Sequence, residues 1–174
     1  MKILTTNKDN LKDSQMTEVV KRVKILLINS KKEVLLVYSH NDYQFPGGHI
    51  EDEETYIDAV IREVREETGI ALSNIMISPF ALKQGYYKDW PNEGKNRKIE
   101  IYYYEIFTDE TPNLNKMKLT DNEKSGDFKL EYIPLKNIKK VLEDNAKKFG
   151  DKYGIAKEMI ELLDVYKEMN SHER

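Results

Sequence analysis

Between Glu54 and Thr68, the residues Ile57, Val60, Ile61, Val64 and Thr68 recur at spacings of three and four, and Gly69 follows directly. That period predicts an amphipathic helix with one stripe to bury, and the glycine supplies its C-terminal stop. The flanks have another period. Val19 to Ile28 (VVKRVKILLI) and Glu33 to Ser39 (EVLLVYS) are apolar, β-branched runs separated by Asn29-Ser30-Lys31-Lys32, which reads as a hairpin. Residues 75–88 and 97–107 read as two more strands, joined by a loop from Lys88 to Asn96. Tyr132 to Leu135 resumes a short strand, and Lys136–Lys148 and Ile155–Met169 read as amphipathic helices with Gly150 and Gly154 between them. Residues 1–17 read as an arm or short edge strand, and 108–128 as a long polar connection of the kind that is often functional or mobile. At 174 residues, with no repeat and no dividing linker, the chain is expected to be one domain.

Projected at 100° per residue with Glu63 at zero, Glu67 falls at about 40° and Glu66 at about 300°, so three carboxylates share a face beside the apolar stripe. Ala59 falls within that face at about 320°, where a small side chain leaves room for an ion. Like charges at these spacings cost stability, and acids near a helix C-terminus oppose its dipole. One reading is a solvated acidic face offset by Arg62 and Arg65. The other is that magnesium or manganese, hard cations that take oxygen ligands, supplies the missing positive charge. The turn before the helix favours the second: Gln44-Phe45-Pro46-Gly47-Gly48 follows a strand and lets backbone carbonyls approach the helix, because glycine has no Cβ.

Composition narrows the chemistry. Cysteine is absent, which removes disulfides, zinc–thiolate sites, iron–sulfur clusters and thiol nucleophiles. His40, His49 and His172 are too scattered for a histidine-rich metal site. The net charge of −3 argues against a nucleic-acid polymer as partner. Small anionic substrates remain, since a divalent metal reverses the sign of a carboxylate-lined site. Nothing approaches a membrane-spanning run, and the first twenty residues lack the pattern of a secretory signal, so a cytoplasmic location is expected.

From Gly48 to Ile70 the sequence is GHIEDEETYIDAVIREVREETGI. It resembles the Nudix box, G-x5-E-x7-R-E-U-x-E-E-x-G-U, at every fixed position: Gly48, Glu54, Arg62, Glu63, Val64, Glu66, Glu67, Gly69 and Ile70. The apolar hairpin before it, the Phe45-Pro46-Gly47 lead-in and the strands after it extend the likeness over roughly residues 18–135. The resemblance implies an α/β/α sandwich around a mixed β-sheet, here with added C-terminal helices. It implies hydrolysis of a nucleoside diphosphate linked to another moiety, with Mg2+ or Mn2+. Glu63, Glu66 and Glu67 would bind metal, Glu63 serving instead as general base in some relatives. Arg62 would orient a box glutamate, Glu54 would support the start of the helix, the Gly47 carbonyl would be a further metal ligand, and Gly48 would contact the substrate. Many relatives take one more acid from beyond the box; here Glu123 is chosen over Asp127 and Glu131.

Substrate contacts are harder to read. Tyr86 and Tyr87, shortly after the box, resemble the place of a tyrosine in relatives acting on diadenosine polyphosphates. Trp90 could stack on a nucleobase or pin its loop to the sheet. Arg22 and Lys24 share a strand face and could meet phosphates or form a solvated edge. Tyr102, Tyr103 and Tyr104 read as strand packing, with alternate rings on opposite faces. The C-terminal apolar positions are expected to pack on the sheet or across a homodimer. A nucleotide-sensing module without turnover is the competing function. An isoprenoid diphosphate isomerase is set aside for want of a cysteine. Removal of pyrophosphate from RNA 5′ ends stays within the hydrolase reading, though the negative charge disfavours long RNA contacts.

Overall fold

The computed structural model describes residues 1–73 and 76–171. Its strands are β1 (Lys2–Asn7), β2 (Glu18–Ile28), β3 (Glu33–Ser39), β4 (Asp42–Gln44), β5 (Ala81–Tyr87), β6 (Arg97–Phe107) and β7 (Lys129–Pro134). The helices are α1 (Tyr56–Thr68), α2 (Asp121–Ser125), α3 (Ile138–Phe149) and α4 (Ile155–Ser171). The strands form one mixed sheet in the order β1-β5-β6-β2-β3-β4, with β7 added to β3. The β1–β5 and β2–β6 pairs are parallel and the others antiparallel.

Helices cover both faces, so β2 must be apolar on both sides, which is why its second half reads as an unbroken apolar run. Val23, Ile25 and Leu27 face α1, packing with Ala59, Val60 and Val64, while Leu26 and Ile28 face α3 and α4. The tyrosine triplet alternates as expected: Tyr103 joins the α4 side and Tyr104 the α1 side. Tyr102 meets the Tyr56 ring at 4.5 Å. Leu162 and Leu163 of α4 are almost wholly buried in this core, each contributing about 2 kcal/mol by leaving water.

Several expectations need correction. The β2–β3 hairpin exists only at its turn, where Ile28 pairs with Val34. Beyond that point the β2 edge is taken by the chain after β4: Ile25 N–H donates to Pro46 O at 2.8 Å, Val23 N–H to Gly48 O at 3.0 Å, and Ile50 N–H to Lys21 O at 3.0 Å. A backbone edge can be satisfied by any extended segment, and the glycine turn is the segment that arrives. The strand expected at 75–88 begins only at Ala81, and Ile75, like His172, lies outside the described residues. The 108–128 connection contains α2, whose start is marked in the sequence by the Thr120/Glu123 capping box. Residues 2–7 are the sheet's edge strand β1.

Helix α1 starts at Thr55, which caps the Asp58 N–H. It ends at Gly69 in the left-handed conformation, φ +70°. The 108–128 segment closes over this end, with Asn113 N–H donating to Thr68 O at 2.9 Å. A Cβ on Gly69 would stand 2.0 Å from Asn113 O. Gly69→Ala is therefore expected to lower stability by roughly 2 kcal/mol or more. Urea denaturation measures it, and an unchanged midpoint would show that the loop yields freely.

Candidate active site

The box acids are not a solvated face. Glu63 and Glu67 are each only 8% exposed, and Glu66, whose side chain is 33% exposed, sits at the rim. The helix is rotated further toward the sheet than its apolar stripe suggests, so Ile61 is half-buried while two carboxylates go under. Ala59 is correspondingly packed in the core and makes no room for an ion. Burying carboxylates is costly unless their charge is met.

The turn of residues 45–48 receives them. Gly47 adopts φ +136° against β2, where a Cβ would come within 2.2 Å of Val23 O. Gly48 lies so close to Glu63 that a Cβ would meet Oε1 at 2.4 Å. Glu67 Oε2 accepts the Gly47 N–H at 2.8 Å. Burial pushes the Glu67 carboxyl from its ordinary 4.5 up to about 8, against the opposing pull of Lys24 and the Gly47 bond. Burial also raises Glu63, against the pull of Arg62.

Arg62 binds several acids at once. It donates from Nε to Glu54 Oε1 at 2.8 Å and from Nη2 to Glu54 Oε2 at 2.9 Å. Nη1 reaches Glu63 Oε1 at 2.8 Å and Glu66 Oε2 at 3.3 Å, and Nη2 also reaches the His49 carbonyl at 2.8 Å. The fork holds Glu54 below its ordinary value and ties helix, turn and rim together.

A polar cavity of about 360 Å³ is lined by Gly47, Gly48, Glu63, Glu66, Glu67 and Glu123 among others. Glu123 reaches it from the first turn of α2, where one of its oxygens also accepts from Thr120. The two other loop candidates lie elsewhere: Asp127 pairs with Lys129, and Glu131 accepts the Tyr43 hydroxyl. Among the described residues, no three acidic or histidine side chains converge on one point as they stand. The donor set nevertheless suits a hard divalent cation. Glu63, Glu66 and Glu67 each have one oxygen that accepts nothing from the described residues, and the cavity adds Glu123 and backbone carbonyls.

Lys24, which the sequence reading set beside Arg22 as a phosphate contact or solvated edge, is neither. Its buried ammonium donates to Phe45 O and Gly47 O at 2.9 Å each and to Gln44 Oε1 at 3.3 Å. It fixes the turn and brings a positive charge next to Glu67; burial lowers its pKa. A lysine at a strand position of the same parity as Leu26 and Ile28 was the available signal. Arg22 donates to His49 Nε2 from Nε at 3.2 Å, beside the turn, and burial together with Arg22 holds His49 below its ordinary value.

The two tyrosines separate by strand alternation. Tyr86 points away, its hydroxyl donating to Asp13 at 2.9 Å, and is not brought to the site. Tyr87 lies across Gly85, whose Cβ would meet its ring at 2.7 Å. Tyr87 also flanks Trp90 with ring centroids 5.7 Å apart. The Arg97 guanidinium covers the Trp90 ring at 4.4 Å, yet Trp90 is still 44% exposed. The loop is pinned and an aromatic surface remains open.

The family model described as NUDIX domain matches residues 19–153. Among solved structures, the chain is similar to a mutator MutT protein from Bacillus halodurans, with 19% identity and a TM-score of 0.51 over 70% of this chain and 72% of that one. It is also similar to an Ap4A hydrolase from C. elegans in a binary complex, with 19% identity and a TM-score of 0.53 over 88% and 98%. At this identity the likeness is one of fold. Comparison with curated protein sequences gives no match. Among the described residues no helix is long and apolar enough to cross a membrane.

Proposed function

The chain belongs to the Nudix family of hydrolases, and from that premise we propose that it hydrolyses a pyrophosphate bond in a small nucleoside diphosphate-X substrate, with Mg2+ or Mn2+ held by Glu63, Glu66, Glu67 and Glu123 and by the Gly47 carbonyl. The observation that carries this reading is the burial of Glu63 and Glu67 in the cavity that Glu66 and Glu123 also line. An acidic face kept for solubility stays in water; acids buried around a shared cavity favour a cation there when they are charged.

When bound, the divalent ion would neutralise diphosphate oxygens and lower the pKa of water. The chain's own groups supply position. Arg62 holds Glu63 and Glu66 in register with the turn, and Gly48 gives Glu63 the room to lie against the backbone. Glu63 is either a ligand or the base that takes the proton of the attacking water. Lys24 holds the Gly47 carbonyl, so the turn keeps its shape while the acids are charged.

Tyr87 and Trp90 would offer their rings to a nucleobase, and Arg22 would meet a phosphate. This arrangement suits dinucleoside polyphosphates, with nucleotide sugars, ADP-ribose and nucleoside triphosphates as the other members of the class. The whole chain is read as a single domain acting on a small nucleotide.

A substrate panel of dinucleotide polyphosphates, ADP-ribose, nucleotide sugars and nucleoside triphosphates tests the reading. Turnover that requires magnesium or manganese and stops with chelator is expected. Binding without turnover across the panel would favour a nucleotide sensor instead. For the best substrate, Tyr87→Ala is expected to raise KM about 10-fold, because a base stacked on an aromatic ring is held by about 1–3 kcal/mol. An unchanged KM would remove Tyr87 from the substrate contacts.

A further inference from the structure

The segment after β6 does more than cover the end of α1. Lys118 N–H donates to Glu66 O at 2.8 Å, as Asn113 N–H does to Thr68 O. Carbonyls in the last turn of a helix have no partner within it, so these bonds fix the segment. The Lys118 backbone is thereby tied to a box glutamate. Its side chain lines the acidic cavity and also a second cavity of about 370 Å³ on the outer flank of α1. Arg62 and Glu66 likewise line both, so the two adjoin along the helix.

The second cavity has three acids and three cations, and they are unevenly paired. Glu54 and Glu66 are both held by Arg62, and Asp58 is engaged in the capping box, accepting the Thr55 hydroxyl at 2.6 Å. Its other cations, Arg65 and Lys118, have no acidic partner within 4.0 Å among the described residues. The negative end of the α1 dipole works against an anion here, so an anion would depend on both cations.

We infer that this flank cavity is the subsite for the outer phosphates of a substrate carrying three or more in a row, with Arg65 and Lys118 as the groups that hold them. The inference rests on the proposed hydrolysis at the acidic cavity and adds chain-length selectivity to it. The anhydride to be cleaved lies over the box glutamates, and the remaining phosphates continue toward Arg65. A diphosphate ends before reaching the flank.

Steady-state kinetics of Lys118→Met and Arg65→Gln, with diadenosine tetraphosphate and ADP-ribose, test this. Each variant is expected to raise KM for the tetraphosphate about 10-fold with little change in kcat, and by clearly less for ADP-ribose. Lys124→Met removes the same charge from the same segment outside both cavities and is expected to leave the KM ratio of the two substrates unchanged. An equal rise for both substrates in the flank variants, or the same change in ratio from Lys124→Met, would overturn the subsite. Calorimetry with inorganic tripolyphosphate reads it without turnover: wild type should bind about 10-fold tighter than either flank variant. If neither nucleotide is hydrolysed but that difference is present, the hydrolase reading fails and the phosphate subsite stands. Equal tripolyphosphate affinity overturns the subsite whatever the turnover.

Discussion

Replacing Glu67 by glutamine is expected to lower kcat/KM by at least about 100-fold while leaving a folded protein. The glutamine keeps an oxygen that can accept the Gly47 N–H, so the contact between turn and helix survives. What disappears is a negative charge in the cavity shared with Glu63, Glu66 and Glu123. The loss should fall on metal affinity as well as on turnover. Glu66→Gln is expected to behave alike, although Glu66 lies at the rim and its carboxylate is shared with Arg62. Stability should not suffer in Glu67→Gln, and at alkaline pH it should rise, because a buried charge has been removed. Kinetics with saturating magnesium and urea denaturation together separate these effects. Near-normal turnover in either variant would remove that carboxylate from the metal site.

The second large effect is on protons. Burial lifts Glu67 from its ordinary 4.5 to about 8 in the metal-free protein. Between those values the folded chain holds a proton that the unfolded chain has released. Metal-free stability should therefore fall as pH rises from about 4.5 to about 8 and level off above that, in contrast to an ordinary salt-bridged acid. A cation entering the cavity reverses the preference and expels the proton. Manganese binding near pH 7 is expected to release close to one proton per site, seen as a binding heat that depends on the ionisation enthalpy of the buffer. The release should be absent in Glu67→Gln. Buffer-independent heats for wild type would mean that Glu67 is already ionised or does not meet the metal.

Much of this was legible in the sequence, for identifiable reasons. The α1 period, its stop at Gly69 and the run of β6 are local signals, and local signals survive into the fold. The tyrosine triplet alternates because a strand must. The β2–β3 hairpin is confined to its turn because the partner of a strand edge is a long-range choice, and beyond Ile28 the glycine turn takes the β2 edge. Ala59 failed because a helical wheel gives relative angles and not the direction of the sheet. A rotation of the buried stripe placed Ala59 in the core and took Glu63 and Glu67 under with it. Lys24 was misjudged because its ligands are carbonyls some twenty residues away, which no local pattern records. The Thr120 capping box is the local signal that locates the short helix carrying Glu123. Lys118 carries no sequence signal; only the bond from its backbone to Glu66 brings it to the site.

The central claim is that these carboxylates together hold a divalent cation. Anomalous diffraction from crystals equilibrated with manganese tests it most directly. The expected result is an anomalous peak in the cavity between the Gly47–Gly48 turn and α1, about 2.1 Å from oxygens of at least two of Glu63, Glu66 and Glu67. A fully occupied manganese peak elsewhere, with those oxygens still bonded only to Arg62 and the Gly47 N–H, would contradict it.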